Sequence, residues 1–450
     1  MISDTKIQLS WGRAHRYPQQ VCKPLWRHEL EELIQELRLQ QKILAAGLGR
    51  SYGDVGLNQG QCLIDMTGLD RILEFDSDQG RIKLEAGVSI RDLNRITAPR
   101  GWFIPVTPGT SNVTLGGAVA NDVHGKNHHS AGTLGCHVLQ LGLLRSNESE
   151  QVCSHTQNPD LFSATIGGMG LTGLITWVEI QLLPIESFGM ETETLKFNHL
   201  SEFFEVSKDS SSWPYTVSWI DCFAPSEQLG RGLFSRARHA ASSAVPDALK
   251  LSASPNTENG ISVPIELPAW GMNKLFITQF NRLYFHRQRA PKKFSIENSN
   301  SFFYPLDKIQ NWNRLYGPQG FFQFQCVVPV DGGENSIRKL LETIRENNQG
   351  SFLAVLKEFG NKKSPGMLSF PQPGYTLALD FPNRGRNTIE LIRTLHQVTH
   401  QAGGRIYPAK DSHLTADEFF GSYPGWEQFG QFIDDAFESS FFRRVLKQID

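Results

Sequence analysis

The sequence predicts an α+β protein of two domains, and three observations carry that reading. The chain has 450 residues, more than one hydrophobic core usually serves. Roughly its first 185 residues mix short apolar strands with many glycines and few helices, without the regular alternation of a doubly wound sheet. Beyond residue 320 the pattern becomes strand, helix, strand, strand, helix, strand, the order of a ferredoxin-like α+β unit.

The elements follow from local spacing. HELEELIQELRL sets Leu30, Leu33, Ile34 and Leu37 on one face of a helix. KILAAGLGRSYGD runs from a short strand into a glycine-rich turn, CLIDMTGL, RILEFD and RIKLEAGVSI read as strands, and SIRDLNRITAPRG reads as a helix. Residues 225–270, rich in Ser, Ala, Pro and Asn, read as a long mobile loop, either a lid or a surface insertion. GFFQFQCVVPV, SFLAVLKEFG, GYTLALDFP and RIYPA are strands. Between them, Ile337, Leu340, Leu341 and Ile344 mark one helix, and NTIELIRTLHQVTHQAGG is a second, closed by glycines.

Bulk composition excludes several classes. Charged residues at 20% and a net charge of −2 lack the basic excess of a nucleic-acid binder. Six scattered cysteines form neither a zinc module nor a disulfide scaffold and read as buried free thiols. The start has no apolar core of a secretory signal, and no apolar run is long enough to span a bilayer, so a cytoplasmic enzyme is expected.

Two glycine-rich turns raise the question of a nucleotide. AGLGRSYGD (46–54) allows positive φ and close backbone approach, as an anion-binding nest or as a plain tight turn. PGTSNVTLGGAVAND (108–122) adds a second such turn leading into a small-residue helix, and two nests suit a long diphosphate cofactor. GGMGLTG holds a literal Gly-x-Gly-x-x-Gly, but it follows a helix and precedes a strand. That is the reverse of a dinucleotide turn, so it is read as a decoy for NAD. In GGAVANDVHGKNHHSAG, Gly125 in a Gly/Asn/Ser-rich turn disfavours the regular helix that would place His124 and His128 on one face, and no metal is expected.

AGLGRSYGD, VTPGTSNVTLGGAVANDVHGKNHHSAGTLG, GGMGLTGLI and the terminal YPAKDS together resemble flavoproteins of the vanillyl-alcohol-oxidase type, with a PCMH-type FAD-binding domain. DVHGKNHHSAG, WNRLYGP and the QFQ triplet narrow the resemblance to the subgroup acting on polyprenylphosphoryl-β-D-ribose. The similarity runs nearly end to end and implies an FAD domain over residues 1–187. A substrate domain would cover 188–404, and a segment 405–450 would return to the FAD domain. It implies oxidation of the sugar 2′-hydroxyl, the first half of epimerisation to arabinose for cell-wall polysaccharide, with an NAD-dependent short-chain reductase as partner and peripheral membrane contact.

Residue by residue, the resemblance implies that Ala45, Ala46, Gly47, Leu48, Gly49, Arg50, Ser51, Tyr52, Gly53, Asp54 and Val55 wrap the flavin. It adds Gly109, Thr114, Leu115, Gly116, Gly117, Asn121, Asp122, Val123 and His124, with Ile175 and Tyr407 from later segments. Arg50 stands where covalent relatives carry a histidine, which implies dissociable FAD. Lys410 would sit near flavin N1, and it and His124 are the candidate proton acceptors. Tyr52, Lys126, Gln323, Gln325, Lys357, Phe359 and Thr376 would face the substrate. The family's cysteine and cavity tyrosine fall at Ala378 and Phe303, with Tyr304 adjacent. Two alternatives remain. One is a sugar-lactone or alditol oxidase with the same flavin domain. The other is a carbohydrate- or lipid-binding module without catalysis, against which the retained Lys410 and His124 speak.

Overall fold

The computed structural model describes residues 5–251, 261–268 and 271–445. Its fold is α+β. The first part holds two small sheets and a two-stranded ribbon of Trp102–Phe103 with Leu183–Pro184. In one, Ile43–Ala46 and Arg16–Cys22 both pair in parallel with Cys62–Asp65, and Lys6–Leu9 adds an antiparallel edge. In the other, Leu174–Gln181 lies at the centre of five strands between Arg81–Glu85 and Val138–Leu144. The helix Leu30–Arg38 buries the four apolar residues its spacing selects. Ile43–Ala46 is only four residues long because the glycine turn follows at once.

The second part is one sheet of eight strands. Its first six elements are β1 (Gly189–Phe197), α1 (Leu200–Asp209), β2 (Tyr215–Ile220), β3 (Gly232–His239), α2 (Lys274–His286) and β4 (Lys292–Asn298). The next six are β5 (Phe321–Pro329), α3 (Gly333–Glu346), β6 (Ala354–Phe359), β7 (Gly374–Pro382), α4 (Arg386–Gln401) and β8 (Arg405–Ile406). The sheet order is β4-β1-β3-β2-β6-β7-β5-β8. Read from either edge, each half therefore places its fourth, first, third and second strands in turn. Two units of the same strand order meet antiparallel along β2 and β6.

One expectation fails here. The 225–270 stretch is not a continuous loop, because residues 232–239 form β3, paired along its length with β1 and β2. Ser235, Arg236 and Arg238 disguise it: Phe234 is buried, and Arg236 and Arg238 on the same face are neutralised across the strand by Glu193 and Glu191. Residues 252–260 and 269–270 of that stretch lie outside the described residues.

Period-two alternation gives the sheet two faces. α1, α3 and α4 cover one, burying Phe203, Ile337, Leu340, Leu341, Leu391 and Leu395 against Phe324, Leu356, Leu377 and Leu379. The opposite face carries Val217, Trp219, Leu233, Ser235, Gln323, Gln325, Val355 and Lys357, with Thr376, Ala378 and Asp380, and turns toward the glycine turns of the first part. α2 lies on that side, with Tyr284 against Trp219 at 4.6 Å.

Residues 407–445 clasp the two parts. The Tyr52 N–H donates to Ala409 O, Glu438 N–H to Ile43 O, and Ser440 N–H to Leu57 O. Arg444 donates to both oxygens of Asp54 at 2.8 Å and to Asp411 at 2.9 Å, and both carboxylates are nearly inaccessible. Removing the cation leaves two buried charges unpaired, so Arg444→Met is expected to cost about 3 kcal/mol in urea unfolding at neutral pH. Burial pushes the Asp411 carboxyl up, but Arg444, His396 and two backbone N–H groups hold it below its ordinary value. A depressed carboxyl stabilises the fold above its unfolded pKa and loses that contribution in acid. The gap between wild type and variant is therefore expected to narrow below about pH 4.

Candidate active site

Between the open sheet face and the first part lies a cavity of about 1570 Å³. Single small-molecule sites run to about 1,000 Å³, so there is room for a dinucleotide and a substrate together. The two glycine turns form one wall by close approach: a Cβ on Gly47 would stand 2.1 Å from Thr114 Oγ1, and one on Gly53 1.5 Å from Asp411 O. Among the described residues the N–H groups of Gly49, Arg50 and Ser51 have no partner, and Gly49 takes φ +65°. Thr114 caps the helix Leu115–Ala120 by accepting from the Gly117 N–H. Asn121 donates to Gly117 O and leaves its own Oδ1 buried and unpartnered at the cavity wall. Free N–H groups, an orphaned amide oxygen and absent side chains are the features a diphosphate cofactor fits.

Most residues expected around the flavin line this cavity: Ala45 to Gly53, Val55, Gly109, Thr114, Gly116, Gly117, Asn121, Val123, His124, Ile175 and Tyr407. Asp54, Leu115 and Asp122 do not. Asp54 pairs with Arg444, and Leu115 is core. Asp122 is a structural acceptor, taking the Gly135 N–H at 2.9 Å and the Ser364 and Ser369 hydroxyls at 2.5 Å. Met169, Gly170 and Gly173 of the decoy motif reach the cavity, after the helix Pro159–Thr165 and before the strand Leu174–Gln181, in the order the sequence showed.

The sheet wall brings the polar candidates together. The Gln325 amide lies 2.8 Å from His124 Nε2 and donates to Thr376 Oγ1 at 3.2 Å. Lys357 Nζ lies 3.2 Å from His124 Nδ1 and donates to Gly125 O. Lys126 donates to Phe302 O and rests over the Phe302 ring. Lys410 Nζ lies 4.0 Å from the centre of the Tyr52 ring and lines the cavity; the neighbouring Asp411 pairs with Arg444 instead. Phe359, on the same sheet face as Lys357, does not line the cavity; it packs edge-on to His124 at 4.8 Å and against His128 at 4.3 Å, a supporting role and not a substrate wall. His129, in the one-turn helix His128–Ala131, contacts Trp213 O at 2.8 Å, and among the described residues no group of three His, Cys, Asp or Glu side chains is placed to hold a metal ion.

Burial governs the electrostatics. Desolvation, joined by Lys357, His128 and Lys410, holds His124 well below its ordinary range, so the ring is neutral. Burial, with Lys126 and Lys410 nearby, brings Lys357 down to about 7. Burial brings Lys410 to about 8 against the opposing pull of Asp380, and Lys126 to about 8 against Glu297. The sequence reading missed Asp380, although it stands two and four residues beyond Ala378 and Thr376 on the same strand face. It accepts from Gln323 Nε2 at 2.5 Å, and burial raises it to about 7. Tyr304 does not replace the absent cavity tyrosine at Phe303: its hydroxyl is occupied by Thr107 at 2.8 Å and Asn94 at 3.0 Å.

Residues 18–154 match the FAD binding domain family. Over 460 aligned residues the chain is 35% identical to the decaprenylphosphoryl-β-D-ribose oxidase of Mycolicibacterium smegmatis, spanning 98% of this chain and 97% of that protein. The chain belongs to that family of FAD-dependent oxidases. It is an oxidoreductase, and its cofactor is FAD. Bovine L-gulonolactone oxidase is 28% identical, but over only 39% of this chain and 40% of its own. An uncharacterized Streptomyces coelicolor protein is 29% identical over 80% of this chain and 98% of its own. No helix among the described residues is long and apolar enough to cross a membrane.

The Gly47–Thr114 contact yields a direct check on the cofactor wall. Gly47→Ala is expected to purify folded but colourless, and Gly47→Ala with Thr114→Ala is expected to regain yellow colour. Removing Oγ1 relieves the 2.1 Å clash and leaves the Thr114 Cβ 3.1 Å away. Absorbance near the flavin bands, normalised to protein, reads both outcomes.

Proposed function

We propose that this flavoenzyme oxidises the 2′-hydroxyl of a polyprenylphosphoryl-β-D-ribose to the 2′-keto sugar, for an NAD-dependent reductase to complete epimerisation. The observation that carries the reading is the make-up of this cavity. Lys126, Lys357 and Lys410 are buried at its wall with Gln323 and Gln325, as a phosphoryl sugar requires. The same cavity continues along Phe276, Phe280, Leu315, Phe352 and Leu353, which suit an isoprenoid chain. End-to-end similarity to the mycobacterial oxidase supports the same substrate class. The lactone oxidases align with less than half of this chain, against nearly all of it for the mycobacterial enzyme, which favours the ribose reading.

When bound, FAD supplies the hydride acceptor. The remaining work falls to side chains. The lysines and glutamines orient the sugar, and the apolar walls exclude water. Neutral His124, held between Gln325 and Lys357, is a poor net base because its neighbours disfavour a positive ring. Lys357 titrates near neutrality and is the better group to take the hydroxyl proton. Lys410, whose positive charge Asp380 favours, would hold a cation at the cavity wall where bound FAD could be stabilised when reduced. Arg50 lies with its guanidinium 4.3 Å from the Trp11 ring centre and is no covalent anchor, so acid is expected to release the flavin into the supernatant.

The test is anaerobic mixing with a short-chain, soluble prenylphosphoryl ribose while flavin absorbance is followed. Bleaching is expected, and its rate should be bell-shaped in pH. It rises as Lys357 deprotonates near 7 and falls as Lys410 loses its proton near 8. Lys357→Met should slow bleaching by roughly 10²–10⁴-fold and remove the acidic limb. Lys410→Ala should retain FAD and slow bleaching by roughly 10²-fold. Because Asp380 raises the Lys410 pKa, Asp380→Asn should move the alkaline limb to lower pH. No bleaching in any buffer would sink the substrate assignment.

A further inference from the structure

Helix α2 is amphipathic in an unusual sense. It buries only Ile277, Asn281 and Phe285, and leaves Leu275 and Leu283 69% and 72% exposed. A surface helix ordinarily turns polar side chains to water at such positions. The short ribbon of Ile261–Ser262 and Ile309–Gln310, which reaches the same cavity as α2 through Ile309, exposes Ile261 at 80%, and Ile265 follows at 71%. Phe276, itself about half exposed, and Ile309 belong to both surfaces, since they also line the cavity. Aromatic contacts run inward without a break from this edge. Phe276 meets Phe280, Phe280 meets Phe352, Phe352 meets Tyr316, Tyr316 stacks on Phe321, and Phe321 meets Tyr52 beneath Lys410.

The charge of the same stretch is one-sided. From Leu267 to Ile296 the sequence holds no Asp or Glu, while Lys274, Arg282, Arg287, Arg289, Lys292 and Lys293 stand there, in a chain whose net charge is −2. All six are exposed. Lys292 is neutralised by Glu193, but among the described residues Arg282, Arg289 and Lys293 have no acidic partner. Exposed Leu and Phe flanked by unpaired Lys and Arg are the chemistry of a segment lying in an anionic bilayer interface, where each basic residue adds to the attraction.

We propose that the face formed by α2, the basic stretch 286–293 and the 261–265 ribbon seats the cavity mouth on an anionic lipid surface. A lipid-linked sugar phosphate then enters the cavity along the aromatic path without its chain crossing water. The inference rests on the substrate class proposed above only for this purpose; the surface itself stands on exposure and charge.

The experiment is flotation of the full-length, FAD-loaded protein with vesicles of phosphatidylcholine alone, or of phosphatidylcholine containing one third phosphatidylglycerol. Binding is expected only to the anionic vesicles and should weaken steeply as salt shortens the Debye length. Leu275→Ser with Leu283→Ser, and separately Arg282→Gln with Arg289→Gln, should each weaken partitioning by more than roughly tenfold. None of these four side chains lines the cavity, so bleaching by the soluble substrate should be unchanged. Wild-type protein that fails to float with anionic vesicles, or variants that float like wild type, would overturn the proposal. Vesicle binding without bleaching would instead remove the substrate assignment and leave the surface standing.

Discussion

The constraint on which the structure depends is the open face of the eight-stranded sheet. A sheet with helices on one side must cover the other or leave it wet. Here the cover consists of the two glycine turns, α2 and the returning 407–411 segment. Glycine turns can come within van der Waals reach of neighbouring backbone, as Gly53 does at Asp411, but they carry no side chains to fill a void. The result is a large cavity whose walls are backbone N–H groups on one side and alternating strand residues on the other.

That geometry dictates the electrostatics. Side chains on the open face are buried without being packed in a core, so Lys357 and Asp380 lose water and gain few partners. Four lysines and three arginines line the cavity against Asp307, Asp380 and Glu297, an excess of positive charge in a desolvated place. Such an arrangement is costly when empty of anions and is relieved by phosphates, which is why the same site suits both a diphosphate cofactor and a phosphoryl substrate. It also separates roles: burial neutralises His124, leaves Lys357 near its titration point, and lets Asp380 keep Lys410 charged.

Much of this was legible before any coordinates. Leu30, Leu33, Ile34 and Leu37 announce their helix because 3.6-residue spacing is local. The strand–helix order of residues 321–406 was equally plain, and so was the reversed order around Gly168. Strand β3 was not, because its pairing with Glu191 and Glu193 is what makes Arg236 and Arg238 tolerable in a sheet. The repeat of one strand order across both halves was hidden for the same reason. Among site residues, Gln323 and Gln325 were visible as a two-residue repeat, and the same rule extended along GYTLALDFP would have found Asp380. Phe359, Leu115, Asp54 and Asp122 were misplaced. Sequence adjacency to a cavity residue says nothing of what a side chain contacts: Asp54 pairs with Arg444, Asp122 takes the Ser364 and Ser369 hydroxyls, Leu115 joins the core, and Phe359 packs on His124.

In the proposed reaction the hydrogen leaving the sugar is the one on C2′. Anaerobic stopped-flow bleaching with prenylphosphoryl ribose deuterated at C2′, against material deuterated at C3′, tests this most directly. Slower bleaching is expected with the C2′ label and none of that slowing with the C3′ label. A rate that responds to C3′, or to neither position while bleaching is limited by chemistry, would contradict it.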